Sequence, residues 1–114
     1  MDQNALWIAL FIALAVFVLS SRLGKVAPEQ AKKLVADGAL LVDVRSPGEF
    51  AGGHLPGALN VPVSDIGGRA AELSKKGKPI VVYCASGMRS GSAAKMLKQA
   101  GAEVFDLGAM SRWG

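Results

Sequence analysis

Pro79-Ile80-Val81-Val82-Tyr83-Cys84-Ala85-Ser86-Gly87-Met88-Arg89-Ser90 is the stretch that decides the fold. Its first half is the clearest strand signal in the chain, a run of β-branched and aromatic residues introduced by a proline. After Cys84 the composition switches to small residues, and Gly87-Met88-Arg89-Ser90 leads into a helix running to about Ala100 and stopped by Gly101. A strand that turns within a few residues into a helix is half of the strand–helix–strand unit of a parallel sheet.

The flanking sequence repeats that alternation. Pro28-Glu29 opens a helix to about Ala36, with Pro in its first turn and Gly38 just past its end. Ala39 to Val44 is a short apolar run of the buried-strand kind. A turn rich in Gly and Pro follows from Ser46 to Pro56, then a brief strand near Ala58 to Val61. Ile66 to about Lys75 is predicted helical, with Ile66, Ala70 and Leu73 on one face, and Val104 to Leu107 is the last strand. The fold class is therefore α/β, a parallel sheet with helices on both faces. Reacting groups in such sheets gather at the carboxyl ends of the strands, and Cys84 sits at one.

The N-terminus is of another character. Residues 5–21, from Ala5 through Leu19 to Ser21, carry no charge and are apolar on every face up to Leu19. That stretch is at the lower end of what spans a bilayer, and it reads as a transmembrane helix. A tail (1–4) precedes it, a linker (22–25) follows, and the domain occupies 26–114. A cleaved secretory signal is the alternative, with Val18-Leu19-Ser20 as a passable cleavage site, but Met1-Asp2-Gln3-Asn4 offers no basic n-region. Arg22 and Lys25 follow the apolar run and set the domain on the cytoplasmic side of the inner (plasma) membrane as a single-pass protein. The signal reading would make it secreted or periplasmic.

Composition excludes several functions. The chain has 114 residues, one Cys and one His, so neither an internal disulfide nor a zinc site can be assembled, and no metal is expected. Its Lys residues are scattered (Lys32, Lys33, Lys75, Lys76, Lys95, Lys98) and aromatic residues are few after the N-terminal run, which argues against a nucleic-acid partner.

What remains is the thiol. A Cys between a strand end and a helix start meets unpaired backbone N–H groups and the positive end of the helix dipole. Both favour thiolate, and Arg89 would help them. Gly87 lets the loop curl into a cup of donors able to hold a small oxyanion or the outer sulfur of a persulfide. A low-pKa thiolate in such a cup suits attack on a sulfane sulfur, provided that the sulfur is open to solvent. An inert cysteine closing a core strand is the bland alternative.

Cys84 to Ser90 resembles the active-site loop of the rhodanese (thiosulfate sulfurtransferase) family. Leu41-Val42-Asp43-Val44-Arg45 resembles that family's D-x-R signature, and Gly53-His54-Leu55-Pro56-Gly57-Ala58-Leu59-Asn60-Val61-Pro62 is similar to its Gly-His…Pro-Gly-Ala segment. Asp106 to Trp113 resembles the Gly-Gly…Met…Trp segment near the domain end. The resemblance implies a sheet of about five parallel strands and a thiosulfate sulfurtransferase-type enzyme without a cofactor. Cys84 would be the nucleophile, taking sulfane sulfur from thiosulfate or a persulfide donor and passing it to a thiol or cyanide. Ala85, Ser86, Gly87, Met88, Arg89 and Ser90 would bind the transferred sulfur, with Arg89 stabilising its charge. Asp43 and Arg45 would tie loops together near the site, and His54 would fix a turn. Ala85 stands where many relatives are basic, which leaves the donor open.

Two other functions fit some of the same residues. A phosphatase of related fold needs one more residue in the loop than the four between Cys84 and Arg89. A membrane-tethered sulfur carrier or redox sensor, with incidental turnover, fits every motif.

Overall fold

The structure, a computed structural model, describes residues 2–114, with side chains for all of these except residues 16–23. The elements are α1 (Gln3–Leu23), α2 (Pro28–Ala36), β1 (Leu40–Asp43), α3 (Pro47–Ala51), β2 (Leu59–Asn60), α4 (Val63–Lys75), β3 (Ile80–Cys84), α5 (Met88–Gln99), β4 (Val104–Ala109) and a 3-10 turn (Met110–Trp113). The four strands form one parallel sheet in the order β2-β1-β3-β4.

β3 is central because its side chains are apolar on both faces. Ile80, Val82 and Cys84 pack with Ile66, Leu73, Ala93 and Leu97 under α4 and α5. Val81 and Tyr83 alternate to the other face, against Ala31, Leu34 and Trp113. All five β3 residues are buried. Each large aliphatic side chain so buried contributes about 1.5–3 kcal/mol, which makes this strand the spine of the domain. The alternation also fixes where the thiol goes: Cys84 faces α4 and α5.

The sheet has four strands rather than about five. Val26 N–H donates to Asp106 O at 2.8 Å, one rung of what would be a fifth strand beside β4. The rung cannot propagate, because Pro28 has no N–H to donate and already sits in the first turn of α2. The Ser46–Pro56 turn also contains a helix. Ser46 and Glu49 form a reciprocal capping box, with Glu49 N–H on Ser46 Oγ and Ser46 N–H on Glu49 Oε1, both at 3.2 Å, and Pro47 opens the first turn of α3. α4 starts at Val63 rather than near Ile66, and β4 continues to Ala109 past a register shift opposite Val82 and Tyr83.

α1 runs beyond the expected 5–21 segment at both ends. Among the described residues no helix is long and apolar enough to cross a membrane, and the side chains of 16–21, part of that segment, lie outside the described residues.

Candidate active site

The loop after β3 is built by glycine. Gly87 caps α5 at φ +103°, ψ −12°, a left-handed conformation that an L-residue adopts only at a cost. This curl turns its N–H back to Cys84 Sγ, 2.9 Å away, while the first turn of α5 brings the Ser90 N–H to 3.3 Å. Two donors thus converge on one sulfur, as at an anion nest. The Ser90 hydroxyl donates to Gly87 O at 3.1 Å and is placed to turn to the sulfur instead.

Burial pushes the Cys84 thiol up. The Ser90 side chain and the N–H groups of Ser90, Gly87 and Ser86 outweigh it, so the thiol lies below its ordinary range. This arrangement matches an ionised sulfur. Openness does not follow with it, because Cys84 is 0 % exposed. The expected solvent-open thiolate is corrected to a covered one, since Cys84 packs into the core cluster under α4 and α5.

Around the loop, Ala85 and Ser86 are exposed, Met88 projects outward at 83 % exposure and Ser90 is buried. Arg89 lies close enough to Cys84 for their charges to interact, but its hydrogen bonds go elsewhere. Its two terminal nitrogens grip Glu49 of α3, Nη1 to Oε1 at 2.7 Å and Nη2 to Oε2 at 3.0 Å. A bidentate carboxylate satisfies the guanidinium fork better than a lone sulfur can. That grip holds the Glu49 carboxyl down at about 2, with the Ser46 N–H adding to it.

Asp43 and Arg45 form a buried ion pair at the end of β1. Arg45 Nη2 reaches Asp43 Oδ2 at 2.6 Å and Gly53 O at 2.7 Å, so the pair ties β1 to the loop after α3. Burial pushes the Asp43 carboxyl up, and hydrogen bonds from Arg45 outweigh it and leave it lowered. The Arg45 guanidinium also lies over the Tyr83 ring at 5.8 Å. Tyr83 OH accepts from Leu55 N–H at 3.0 Å, and burial pushes its phenol up to about 12, too high to exchange protons at neutral pH. His54 stacks on Phe50 with ring centres 3.7 Å apart and holds Phe50 O through Nδ1 at 2.9 Å, the contacts of a turn-fixing group. Among the described residues no three His, Cys, Asp or Glu side chains gather to hold a metal.

Two residues at the loop escaped the sequence. Glu49 carried a legible signal, the Ser-x-x-Glu capping box after Arg45, but its partner Arg89 lies 40 positions away. Lys25 carried none. Its Nζ meets Asp106 Oδ2 at 2.6 Å and Gly87 O at 3.2 Å, bracing the glycine whose amide holds the sulfur.

Known proteins share this architecture. Residues 27–114 match the family model described as a rhodanese-like domain. A Bacillus subtilis (strain 168) protein, YqhL, is 35% identical, over 98% of this chain and 94% of that protein. Thiosulfate sulfurtransferase GlpE of Pseudomonas aeruginosa (strain LESB58) is 36% identical, over 83% of this chain and 87% of that protein. The solved structure of the human single domain sulfurtransferase TSTD1 superposes with a TM-score of 0.62 at 32% identity, covering 78% of this chain and 93% of that one. With its parallel sheet, its strand-end cysteine and its amide cup, the chain belongs to the rhodanese-like family.

Proposed function

We propose that the protein is a sulfurtransferase that carries sulfane sulfur on Cys84. In the first half-reaction, which requires the cover over the fully buried Cys84 to open, its thiolate attacks the outer sulfur of thiosulfate or of a persulfide. A sulfur–sulfur bond forms to Sγ as the donor's own breaks, and sulfite or a thiolate departs with the electron pair. In the second, cyanide or a thiolate takes the outer sulfur as thiocyanate or a new persulfide, and the Cys84 thiolate is restored. No net oxidation occurs and no cofactor is required.

The observation that carries this reading is the convergence of the Gly87 and Ser90 amides on Sγ, which favours the thiolate that the chemistry needs. Similarity to relatives named as sulfurtransferases supports the same reaction class. Phosphate transfer is disfavoured, because the four residues between Cys84 and Arg89 make the loop short for a phosphate ring. The test is thiocyanate production from thiosulfate and cyanide by the wild-type chain and by Cys84→Ser. The wild type is expected to turn over and the variant to fold but not to turn over; normal activity in the variant would refute the mechanism.

Complete burial of Cys84 favours a second reading, a sulfur carrier whose cover opens against a protein partner. Faster persulfide transfer to a protein thiol than to cyanide would distinguish it.

For residues 5–21 the proposal is a single-pass anchor that holds the domain on the cytoplasmic face. Leu6, Trp7, Ile8, Leu10, Phe11, Ile12 and Leu14 are all at least half exposed, an apolar surface that needs an apolar surrounding. A thiol reagent that cannot cross membranes should leave Cys84 unlabelled in intact cells and label it after lysis. Labelling in intact cells would put the domain outside.

A further inference from the structure

The loop around Cys84 is fastened at two points. Lys25 braces Gly87 O from one side, and Glu49 clamps Arg89 from the other. The cation expected to receive an incoming anion is therefore spoken for in the resting protein, and the Cys84 sulfur is covered. A cavity of about 310 Å³ opens beside Arg89, walled by Val44, Pro47, Pro62 and Val63. It is large enough to admit a small oxyanion, but Asp65 also lines it and Glu49 holds the guanidinium at its edge, and both carboxylates oppose one.

We propose that Glu49 is the specificity-determining residue of this site: its carboxylate occupies Arg89, and a donor anion gains the Cys84 loop only by displacing it. The proposal rests on the sulfur-transfer reading and adds what selects the donor. A dianionic sulfur oxyanion such as thiosulfate competes for a guanidinium fork as well as a carboxylate does. A singly charged anion competes less well, and a neutral reagent gains nothing from Arg89. The clamp is separable from the fold. Glu49 serves the capping box of α3 with the same side chain, and a glutamine at that helix position makes the box equally well. Glu49→Gln thus keeps α3 while it removes the charge that holds Arg89.

The experiment compares alkylation of Cys84 by iodoacetate and by iodoacetamide at low salt, in wild type, Glu49→Gln and the double variant Glu49→Gln/Arg89→Met. The ratio of the two rates cancels changes in the thiol's own ionisation, since both reagents need the thiolate. Glu49→Gln should raise the iodoacetate-to-iodoacetamide ratio about tenfold, as expected of one freed charge acting on an anion across a few Å of partly screened space. The double variant should lose that gain. In turnover, Glu49→Gln should lower KM for thiosulfate with little change in kcat. An unchanged ratio overturns the proposal, as does a gain that survives loss of Arg89 or a Cys84 inert to both reagents in every protein. If the ratio responds as expected while none of the proteins forms thiocyanate, the gate stands and the sulfur-transfer reading falls.

Discussion

Replacing Gly87 with alanine separates two contributions of one residue. The glycine stands at φ +103° with its N–H 2.9 Å from Cys84 Sγ. An added Cβ would meet Gly108 Cα and Lys25 Nζ, each at 3.7 Å, which is ordinary contact, so crowding costs little. The penalty is in the backbone, about 1–2 kcal/mol for an L-residue held left-handed. In a domain of this size each kcal/mol lowers Tm by roughly 4–8 °C, which gives a fall of about 5–15 °C if the loop keeps its shape. If the loop relaxes instead, stability is kept and the N–H turns off the sulfur. A hydrogen bond to a charged acceptor contributes about 1.5–3 kcal/mol. At 1.36 kcal/mol per unit, its loss raises the thiol pKa by about 1–2 units. Thermal melting and the ultraviolet absorbance of the thiolate, titrated on the same samples, read both outcomes. A variant that melts and titrates like wild type would refute the reasoning, because the glycine would then be neither strained nor donating.

Arg45→Ala leaves the Asp43 carboxylate buried without its partner and frees Gly53 O, and should cost about 3–5 kcal/mol in a denaturant titration. Loss of under 1 kcal/mol would mean that Asp43 finds water. Acid should weaken the same pair in wild type: the Asp43 pKa is lower folded than unfolded, so its contribution is full above the unfolded value of 3.8 and is lost as pH falls through the lower folded one. Reactivity of Cys84 should follow its lowered pKa, with the iodoacetamide rate already at its plateau at a pH where free cysteine is still rising. A rate that climbs in step with free cysteine would show an ordinary thiol.

Much of this architecture is legible in the chain because its signals are local. Ile80 to Tyr83 is apolar at every position, which only a strand buried on both faces tolerates, and Pro28 and Gly38 bracket α2. Cys84 could be placed at a strand end because Gly87 and the helix start follow within a few residues. What was not legible is set by partners far away in sequence. The number of strands turns on whether Val26 extends its single rung with Asp106, 80 positions later. That Arg89 also pairs with Glu49 shows only once the fold brings the two together. The covering of Cys84 is likewise a tertiary outcome, because the residue packs into the cluster that Ile66 and Leu73 of α4 form with α5. α3 is a different case, since its capping box was present in Ser46 to Glu49 and was masked by the surrounding Gly and Pro.

The most direct test is the mass of the intact chain after exposure to thiosulfate and removal of the excess. A gain of one sulfur atom is expected, released by cyanide and absent from Cys84→Ser. An unchanged mass, or the same gain in the serine variant, would contradict a persulfide on Cys84.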